Sequence, residues 1–456
     1  MPWGGDTALF LMHGRNLAHG EAYAKTPYVY DDEAWMEGGP SFPPGMPLLL
    51  MPNLFGDGPI PFSAMRVECV ILLALAAAPV FLFLRRYLSF WFALGATLVF
   101  ALNRYTLYFL QGIYSEEAYL LFSFAAIAAI YWICDTGRDK TKPILWGALA
   151  GVLVTCPYLI RSIGISFVVG FVLAELYRNR RITRFLVSAV VVFAGIALLS
   201  SLVAHSDTAY RSQIRVDPLM SLRHVKEYLL RSMEVWLGLP GERLPRLALW
   251  LLTTSLAAYG IFRKLREKGP EFHEFYVLAY IGVLAIYWAA NQRYLSPLLP
   301  VYLLFVFYAV ESIWRQVRWM RPVLVATVAL MLYAGCAYWA GIEKTPLPDG
   351  VHTATYQQTL DFIRKETAPQ TRVISDSARY LALLTGRPSL LYPMWSTPER
   401  VWAFVERTNS EYILLSKHHA DDQAYLEPAL RAHSSALELR FENAEYAVYK
   451  VKRNHG

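Results

Sequence analysis

Ten apolar runs recur along this chain, and the Lys and Arg residues of their short connections gather at every second one. The runs lie at 63–84, 90–110, 115–134, 143–160, 161–177, 185–204, 247–262, 274–290, 296–314 and 322–341. Most approach the ~20 residues that a helix needs to cross ~30 Å of hydrocarbon. Five short connections carry sixteen basic residues: Arg85 and Arg86; Arg138, Lys140 and Lys142; Arg178, Arg180, Arg181 and Arg184; Arg263, Lys264, Arg266 and Lys268; and Arg315, Arg318 and Arg321. The facing short connections carry two, Arg161 and Arg293. Lys and Arg accumulate on the cytoplasmic side of membrane proteins, so this asymmetry orients the chain. The first outer loop 1–62, the outer loop 205–246 within the transmembrane domain 63–341, and the C-terminal segment 342–456 are then all expected outside the cytoplasm. The fold class that follows is an α-helical polytopic membrane protein of about ten spans with a C-terminal α/β extracytoplasmic domain.

A chain of 456 residues that is 55% hydrophobic and 17% charged is too apolar for an ordinary soluble globule of several domains. Its surplus of seven positive charges is spent largely on the cytoplasmic connections, which points to lipid headgroups and not to nucleic acid. Cys69, Cys134, Cys156 and Cys336 lie within or at the ends of apolar runs, so neither a disulfide nor a thiolate metal site is expected. Residues 1–62 hold neither a signal peptide nor a span that could export them. Either this segment follows the first hairpin across the membrane, or translation starts upstream of Met1 and one further span is encoded there.

From about residue 350 the apolar runs stop. Helix-like segments at 353–366, 377–385, 397–409 and 420–433 alternate with strand-like ones at 371–376, 389–392, 411–416, 436–442 and 445–451. This alternation predicts a small α/β domain of βαβ type with a closing hairpin. Thr345, Pro346, Leu347, Pro348, Asp349 and Gly350 form its linker. No Gly-rich phosphate fingerprint opens its helices, and Leu384, Thr385, Gly386 and Arg387 read as a helix stop. In the loop 205–246, Leu219, Leu222, Val225, Leu229, Met233 and Trp236 recur at helical spacing, with Arg223, Lys226, Glu227 and Arg231 on the remaining faces. Two arrangements suit such a helix: lying in the outer interface with Trp236 as anchor, or packing on the C-terminal domain.

Ionisable groups near a membrane are costly and tend to mark function. Away from the cytoplasmic collars they gather at the outward ends of the runs: Arg66 and Glu68, Arg104, Glu116 and Glu117, Arg161 and Arg293. Asp6, Asp31, Asp32, Glu33 and Glu37 add carboxylates from the first loop. A polar pocket at the outer boundary accounts for the set, whereas each residue taken singly could equally reach for water on its own.

Asp6 followed by Leu17, Gly20 and Tyr23 resembles the first outer loop of the GT-C superfamily of polytopic glycosyltransferases, which use polyprenyl-phosphate sugars. The protein O-mannosyltransferases and the lipid A aminoarabinose transferases are examples. Phe42, Pro43, Pro44, Gly45, Met46, Pro47, Leu48 and Leu49 are similar to the family's Y-P-P-x-x-P-L-L entry into the next span. Ser115 and Glu116 resemble its S-E motif, and Arg293, Tyr294, Pro297 and Pro300 its R-Y-x-x-P-x-x-P element. Leu384 to Arg387 resembles the L-T-G-R of its outer domain. Each motif is short, but together they follow the family's order over nearly the whole chain. Departures are visible: Thr7 follows Asp6 where many relatives carry a second acid, Phe10 stands for a tyrosine, and Ser41 and Phe42 stand where the aminoarabinose transferases place an acid. They argue against that particular sugar and weaken the case for a bound metal.

The resemblance implies transfer of a sugar from a polyprenyl-phosphate donor to a glycan, lipid or protein acceptor at the outer face of a bacterial inner membrane. Inverting transfer needs one carboxylate to take the acceptor's proton, a role that falls to Asp6. A lipid phosphate leaves without protonation, its second pKa being ~6. The charge left on it calls for guanidinium forks, for which Arg161 and Arg293 are the natural candidates. Tyr294, Glu116 and Arg104 are the remaining expected substrate contacts. No histidine pair has metal-ligand spacing, since His13 and His19 are six apart and His418 and His419 adjacent, so a divalent metal is not indicated. The competing classes are a lipid-linked sugar flippase or transporter, and a non-catalytic membrane scaffold. The apolar centres of the runs and the lack of an internal repeat argue against a transporter.

Overall fold

Each of the ten apolar runs contains a helix, because a backbone surrounded by hydrocarbon has to satisfy its hydrogen bonds internally. The computed structural model describes residues 5–37, 39, 41–56, 58–204, 214, 217–237, 243–287, 291–341 and 353–452. The expected linker 345–350 and the side chain of Glu37 lie outside the described residues. Among the described residues, seven helices are long and apolar enough to cross a membrane: Phe62–Arg85, Glu116–Asp135, Pro143–Ile160, Arg184–Ala204, Leu244–Lys268, Gln292–Gln316 and Arg318–Gly341. The remaining three runs give shorter helices, Phe90–Ala101, Ile165–Asn179 and Phe272–Ile286. Leu75, Leu82 and Val191 stay more than half exposed on this surface, as side chains facing lipid do. The protein is a multi-pass membrane protein.

Two of the short helices have visible causes. The run 90–110 breaks after Ala101 because the Asn103 side chain accepts the Tyr105 N–H at 2.8 Å and caps a separate helix, Arg104–Phe109. The run 161–177 starts late because Arg161 is extended and Ser162–Gly164 form a 3-10 turn before Ile165.

The chain divides into two compact units. One comprises Pro61–Ser200 and Ile214–Lys344 and holds most of the membrane helices. Within it, Gly147 and Gly151 let helix Pro143–Ile160 pack directly on Arg184–Ala204. A Cβ at these two positions would lie 2.4 Å from the Phe185 carbonyl oxygen and 2.5 Å from that of Ala189. Small residues four apart are the usual means of bringing two membrane helices this close. The basic ends of this unit are held by buried charge. Lys264 is fully buried with Nζ 2.5 Å from Glu274 and 3.0 Å from Glu271, and Arg86 and the Tyr87 hydroxyl reach Glu271 at 3.1 and 2.8 Å. Helix Pro218–Leu237 also packs within this unit, and it does so through its more polar face. His224, Tyr228, Ser232 and Val235 are buried, whereas Leu219, Leu222, Val225 and Leu229 are exposed. Trp236, expected as an interfacial anchor, instead stacks on Tyr302 with ring centroids 4.1 Å apart.

The second unit comprises Met1–Ile60, Ser201–Gln213 and Thr345–Gly456. Its five-stranded sheet contains β1 (Val373–Ile374), β2 (Ser389–Leu390), β3 (Tyr412–Ser416), β4 (Leu437–Glu442) and β5 (Tyr446–Val451), in the order β2-β1-β3-β5-β4. The first three strands are parallel, and β5 and β4 close the sheet as an antiparallel hairpin. Helices Ala378–Thr385 and Pro398–Arg407 form the crossovers. The amino-terminal segment extends this sheet at the β2 edge: Val29 N–H donates to the Ser389 carbonyl at 2.9 Å and Ser389 N–H to that of Pro27 at 3.0 Å. Leu9, Met12, Tyr28 and Ala34 share one core with Ile374, Ala378, Leu390 and Trp402.

Gly151→Val should force the two helices apart and cost about 1–3 kcal/mol, since overpacking of a close contact is absorbed only by backbone movement. Detergent-titrated unfolding of the purified variant against wild type measures it.

Candidate functional site

Glu116 opens helix Glu116–Asp135 at the end remote from its basic connection, and its carboxylate is 1% exposed. A carboxylate so buried needs cationic partners. Arg161 pairs with Oε1 directly, and Arg293 places Nε 3.6 Å from the same oxygen. The backbone explains how two residues from distant runs arrive there. Arg161 sits in the extended break between helices Pro143–Ile160 and Ile165–Asn179. Arg293 is held in a short 3-10 segment, Gln292–Leu298, where the Asn291 side chain accepts its N–H at 3.0 Å and its carbonyl accepts the Ser296 hydroxyl at 2.7 Å. Both guanidinium groups lie over the ring of Tyr294, at 5.6 and 5.4 Å from its centroid. The ring face adds attraction for the two cations, and the Tyr280 hydroxyl fixes its backbone by donating to the Tyr294 carbonyl at 2.8 Å. Glu117, next in sequence, is fully buried.

Four of the expected contacts, Glu116, Arg161, Arg293 and Tyr294, are thus brought together. Arg104 takes a different place, with its guanidinium 5.2 Å over the ring of Tyr338. Arg66 donates to the Leu110 carbonyl at 3.4 Å.

Asp6 belongs to the other unit. It lies in the first turn of helix Gly5–Ala18, 28% exposed, with Oδ1 3.3 Å from Nη1 of Arg379. Arg379 is almost completely buried, with its guanidinium 5.1 Å from the Tyr28 ring and 5.5 Å from that of Phe42. Tyr23 donates its hydroxyl to the Phe42 carbonyl at 2.7 Å, and the His13 ring stacks on Tyr23 at 4.4 Å and bonds the Tyr23 carbonyl through Nδ1 at 2.8 Å. Asp6, Tyr28 and Phe42, which are far apart in the first loop, therefore converge on one buried arginine, with Tyr23 bonded to the Phe42 carbonyl. Arg379 itself escapes sequence reasoning. The available signal is its place among Ala378, Leu381 and Ala382 in a short apolar helix, where an arginine has no surface to reach.

The other acids of the first loop have different surroundings. Asp31 accepts from Arg407 Nη2 at 2.9 and 3.0 Å and from the Glu33 N–H at 2.9 Å, and although burial alone would raise its pKa, that guanidinium and the Glu33 amide hold it below the usual value. Asp32 and Glu33 are exposed. In the stretch Leu384 to Arg387, Gly386 has φ +68° and ends helix Ala378–Thr385, a conformation that favours glycine. Arg387 donates to the carbonyls of Arg364 and Thr367, both at 2.9 Å, and so locks the end of helix Ala354–Glu366. This is the helix stop that the sequence predicts.

No family model matches the sequence, and no curated protein matches it. The fold is similar to that of the Archaeoglobus fulgidus oligosaccharyltransferase solved with a tethered acceptor peptide containing the NVT sequon, with a TM-score of 0.55 and 11% identity over 98% of this chain and 70% of that one. It is also similar to ArnT from Cupriavidus metallidurans bound to undecaprenyl phosphate, with a TM-score of 0.56 and 10% identity over 97% of this chain and 92% of that one. A third structure, AglB from Archaeoglobus fulgidus with an inhibitory peptide and a dolichol-phosphate, gives a TM-score of 0.54 and 13% identity over 90% of this chain and 65% of that one. AglB and ArnT are GT-C superfamily enzymes. At these identities the likeness is one of fold.

The surroundings of Arg379 make the second unit sensitive to acid. Burial, with the Arg379 charge adding to it against the Tyr23 carbonyl bond, pushes the His13 pKa from 6.5 down to about 4. The folded state thus keeps His13 neutral while the unfolded chain protonates it near 6.5. The stabilisation is complete above that pH and is lost as pH falls towards 4, up to ~3 kcal/mol in all. The unfolding temperature should drop between pH 7 and pH 5, and His13→Gln should flatten that dependence.

Proposed function

We propose that this chain, which has the fold of the GT-C membrane glycosyltransferases, transfers a sugar from a polyprenyl-phosphate donor to an acceptor at the extracytoplasmic face of a bacterial inner membrane. The observation that carries the reading is the convergence of Arg161 and Arg293 on one buried carboxylate, at helix ends opposite the basic connections. Two guanidinium forks over a tyrosine ring form a cradle for an anion with several oxygens, and a lipid phosphate is such an anion. Glu116 keeps the two like charges together when no donor is bound, and orients them when one is.

In this reading the acceptor hydroxyl attacks the anomeric carbon from the face opposite the phosphate. The bond from that carbon to the phosphate oxygen breaks, and the configuration inverts. The hydroxyl proton passes to a carboxylate base, the role the resemblance implies for Asp6, and the electron pair of the broken bond stays on the lipid phosphate, a charge that guanidinium groups stabilise. The ion pair with Arg379 holds the Asp6 carboxylate in place. Reading the same carboxylate as structural only would make it a counter-ion for a buried arginine. The two roles separate experimentally, because one governs turnover and the other stability.

Incubation of the purified protein with a panel of labelled polyprenyl-phosphate sugars should release lipid phosphate from one of them, and release from none would refute the transferase reading. With that donor, Arg293→Ala should mainly weaken donor use, and Arg293→Lys should restore only part of it, since a point charge cannot reproduce a bidentate fork. Unchanged donor kinetics in Arg293→Ala would remove this residue from the site. Asp6→Asn should retain donor binding but lose roughly 10² to 10⁴ in turnover, with a lower unfolding temperature because Arg379 loses its ionic partner. Near-normal transfer by folded Asp6→Asn protein would leave Asp6 as a counter-ion.

A further inference from the structure

A second cluster of ligand-bearing side chains lies in the α/β sheet, at the carboxyl ends of its parallel strands. Asp376 follows β1 by two residues, Tyr392 follows β2 by two, and His419 and Asp422 follow β3 by three and six. In the order β2-β1-β3 the chain leaves β1 for β2 on one side and returns to β3 on the other. The gap between β1 and β3 is therefore the point where the winding direction reverses, which is where open α/β sheets bind their ligands. A π-helical turn at Asp422–Leu426 widens the helix that follows β3, a distortion that recurs at functional sites.

The donor atoms of Asp376, His419 and Asp422 lie within 4.8 Å of one another. Each carboxylate is held in place by the surrounding protein. Asp376 Oδ1 accepts the hydroxyls of Ser377 at 2.9 Å and Ser375 at 3.2 Å. Asp422, fully buried, accepts the Tyr392 hydroxyl on Oδ1 at 2.8 Å and the Ser416 N–H on Oδ2 at 2.7 Å. His419 Nδ1 is buried and makes no hydrogen bond, although Asp376 Oδ2 is only 3.1 Å away. A buried ring nitrogen grouped within 4.8 Å of two carboxylate oxygens, and hydrogen-bonded to neither, completes a donor set suited to a cation.

We propose that Asp376, His419 and Asp422 form a divalent-cation site between the ends of β1 and β3. Two carboxylates and an imidazole favour Zn²⁺ or Mn²⁺ over Mg²⁺ and Ca²⁺, which prefer shells of oxygen alone. Ligands bonded at ~2.1 Å to one tetrahedral ion stand ~3.4 Å apart, so the set closes with a movement of about an ångström. The His419 side chain is 39% exposed, which leaves that side of the ion open to water or to an anionic group. The ion would tie β3 and its π-helical turn to β1. Its binding is independent of the transferase reading and is measured without turnover.

The test uses the full-length protein in detergent, stripped with a chelator and re-loaded separately with Zn²⁺, Mn²⁺, Mg²⁺ or Ca²⁺. The bound metal is counted by elemental analysis after gel filtration. Wild type should retain Zn²⁺ or Mn²⁺ in preference to Mg²⁺ and Ca²⁺, and should unfold at a higher temperature when loaded. His419→Gln and Asp422→Asn should each retain one ion fewer, or bind it about tenfold or more weakly. His419→Gln alters a partly exposed ring, and an unchanged gel-filtration profile will show that it folds. Equal metal counts and affinities in wild type and both variants would overturn the proposal, as would a wild type that retains no ion.

Discussion

A charge withdrawn from water has to find an opposite charge or stay at a boundary, and this constraint shapes both units of the protein. In the membrane unit it sends most basic side chains to one set of helix ends and, among the described residues, pairs several of the buried ones. Lys264 lies between Glu271 and Glu274 at the basic ends, and Glu116 lies against Arg161 and Arg293 at the opposite ends. In the other unit Arg379 is buried against Asp6 and two aromatic rings. Removing one partner of such a pair strands the other, which typically costs 3–5 kcal/mol. These pairs therefore fix where neighbouring segments can sit far more narrowly than the surrounding aliphatic side chains do.

The compensated pairs differ in what they are suited to do. The Lys264 cluster joins three helices through short ion pairs and is best understood as a fastening. The Arg161–Glu116–Arg293 cluster sets two cations against the carboxylate they share and has an aromatic ring beneath both. It stands at broken helix ends. The extended Arg161 and the 3-10 segment around Arg293 are departures from regular helix, and they are what allow two side chains from distant runs to meet.

The amino-terminal segment shows how a long loop gains a defined structure. Residues 27–29 pair with the β2 edge, Leu9 and Met12 enter the same core as the strands, and Arg407 holds Asp31. The α/β fold thus organises a stretch whose described elements beyond its first helix are short helical segments. An edge strand left open would present unpaired N–H and C=O groups, and this segment covers part of that edge.

Much of this was legible in the residue pattern. The ten helices follow from runs of apolar residues because lipid tests composition directly, segment by segment. The βαβ alternation and the closing hairpin are equally local, since strand periodicity and turn residues act over a few positions. The cluster of Glu116, Arg161, Arg293 and Tyr294 could be anticipated because ionisable groups at the ends of apolar runs are rare. Three-dimensional packing alone decided the rest. Arg379 meets Asp6 across 373 positions of sequence, and Asp376 meets His419 and Asp422 only because β1 and β3 are neighbours in the sheet. The polar face of helix Pro218–Leu237 is the buried one because Tyr228, Ser232 and the backbone beside Asn103 find hydrogen-bond partners there. Sequence determines what depends on a residue and its near neighbours, such as solubility in lipid, helical or extended backbone, and the side of the membrane that charge prefers. Which distant side chain satisfies a buried charge depends on which segments the fold makes adjacent, and no local pattern carries that information.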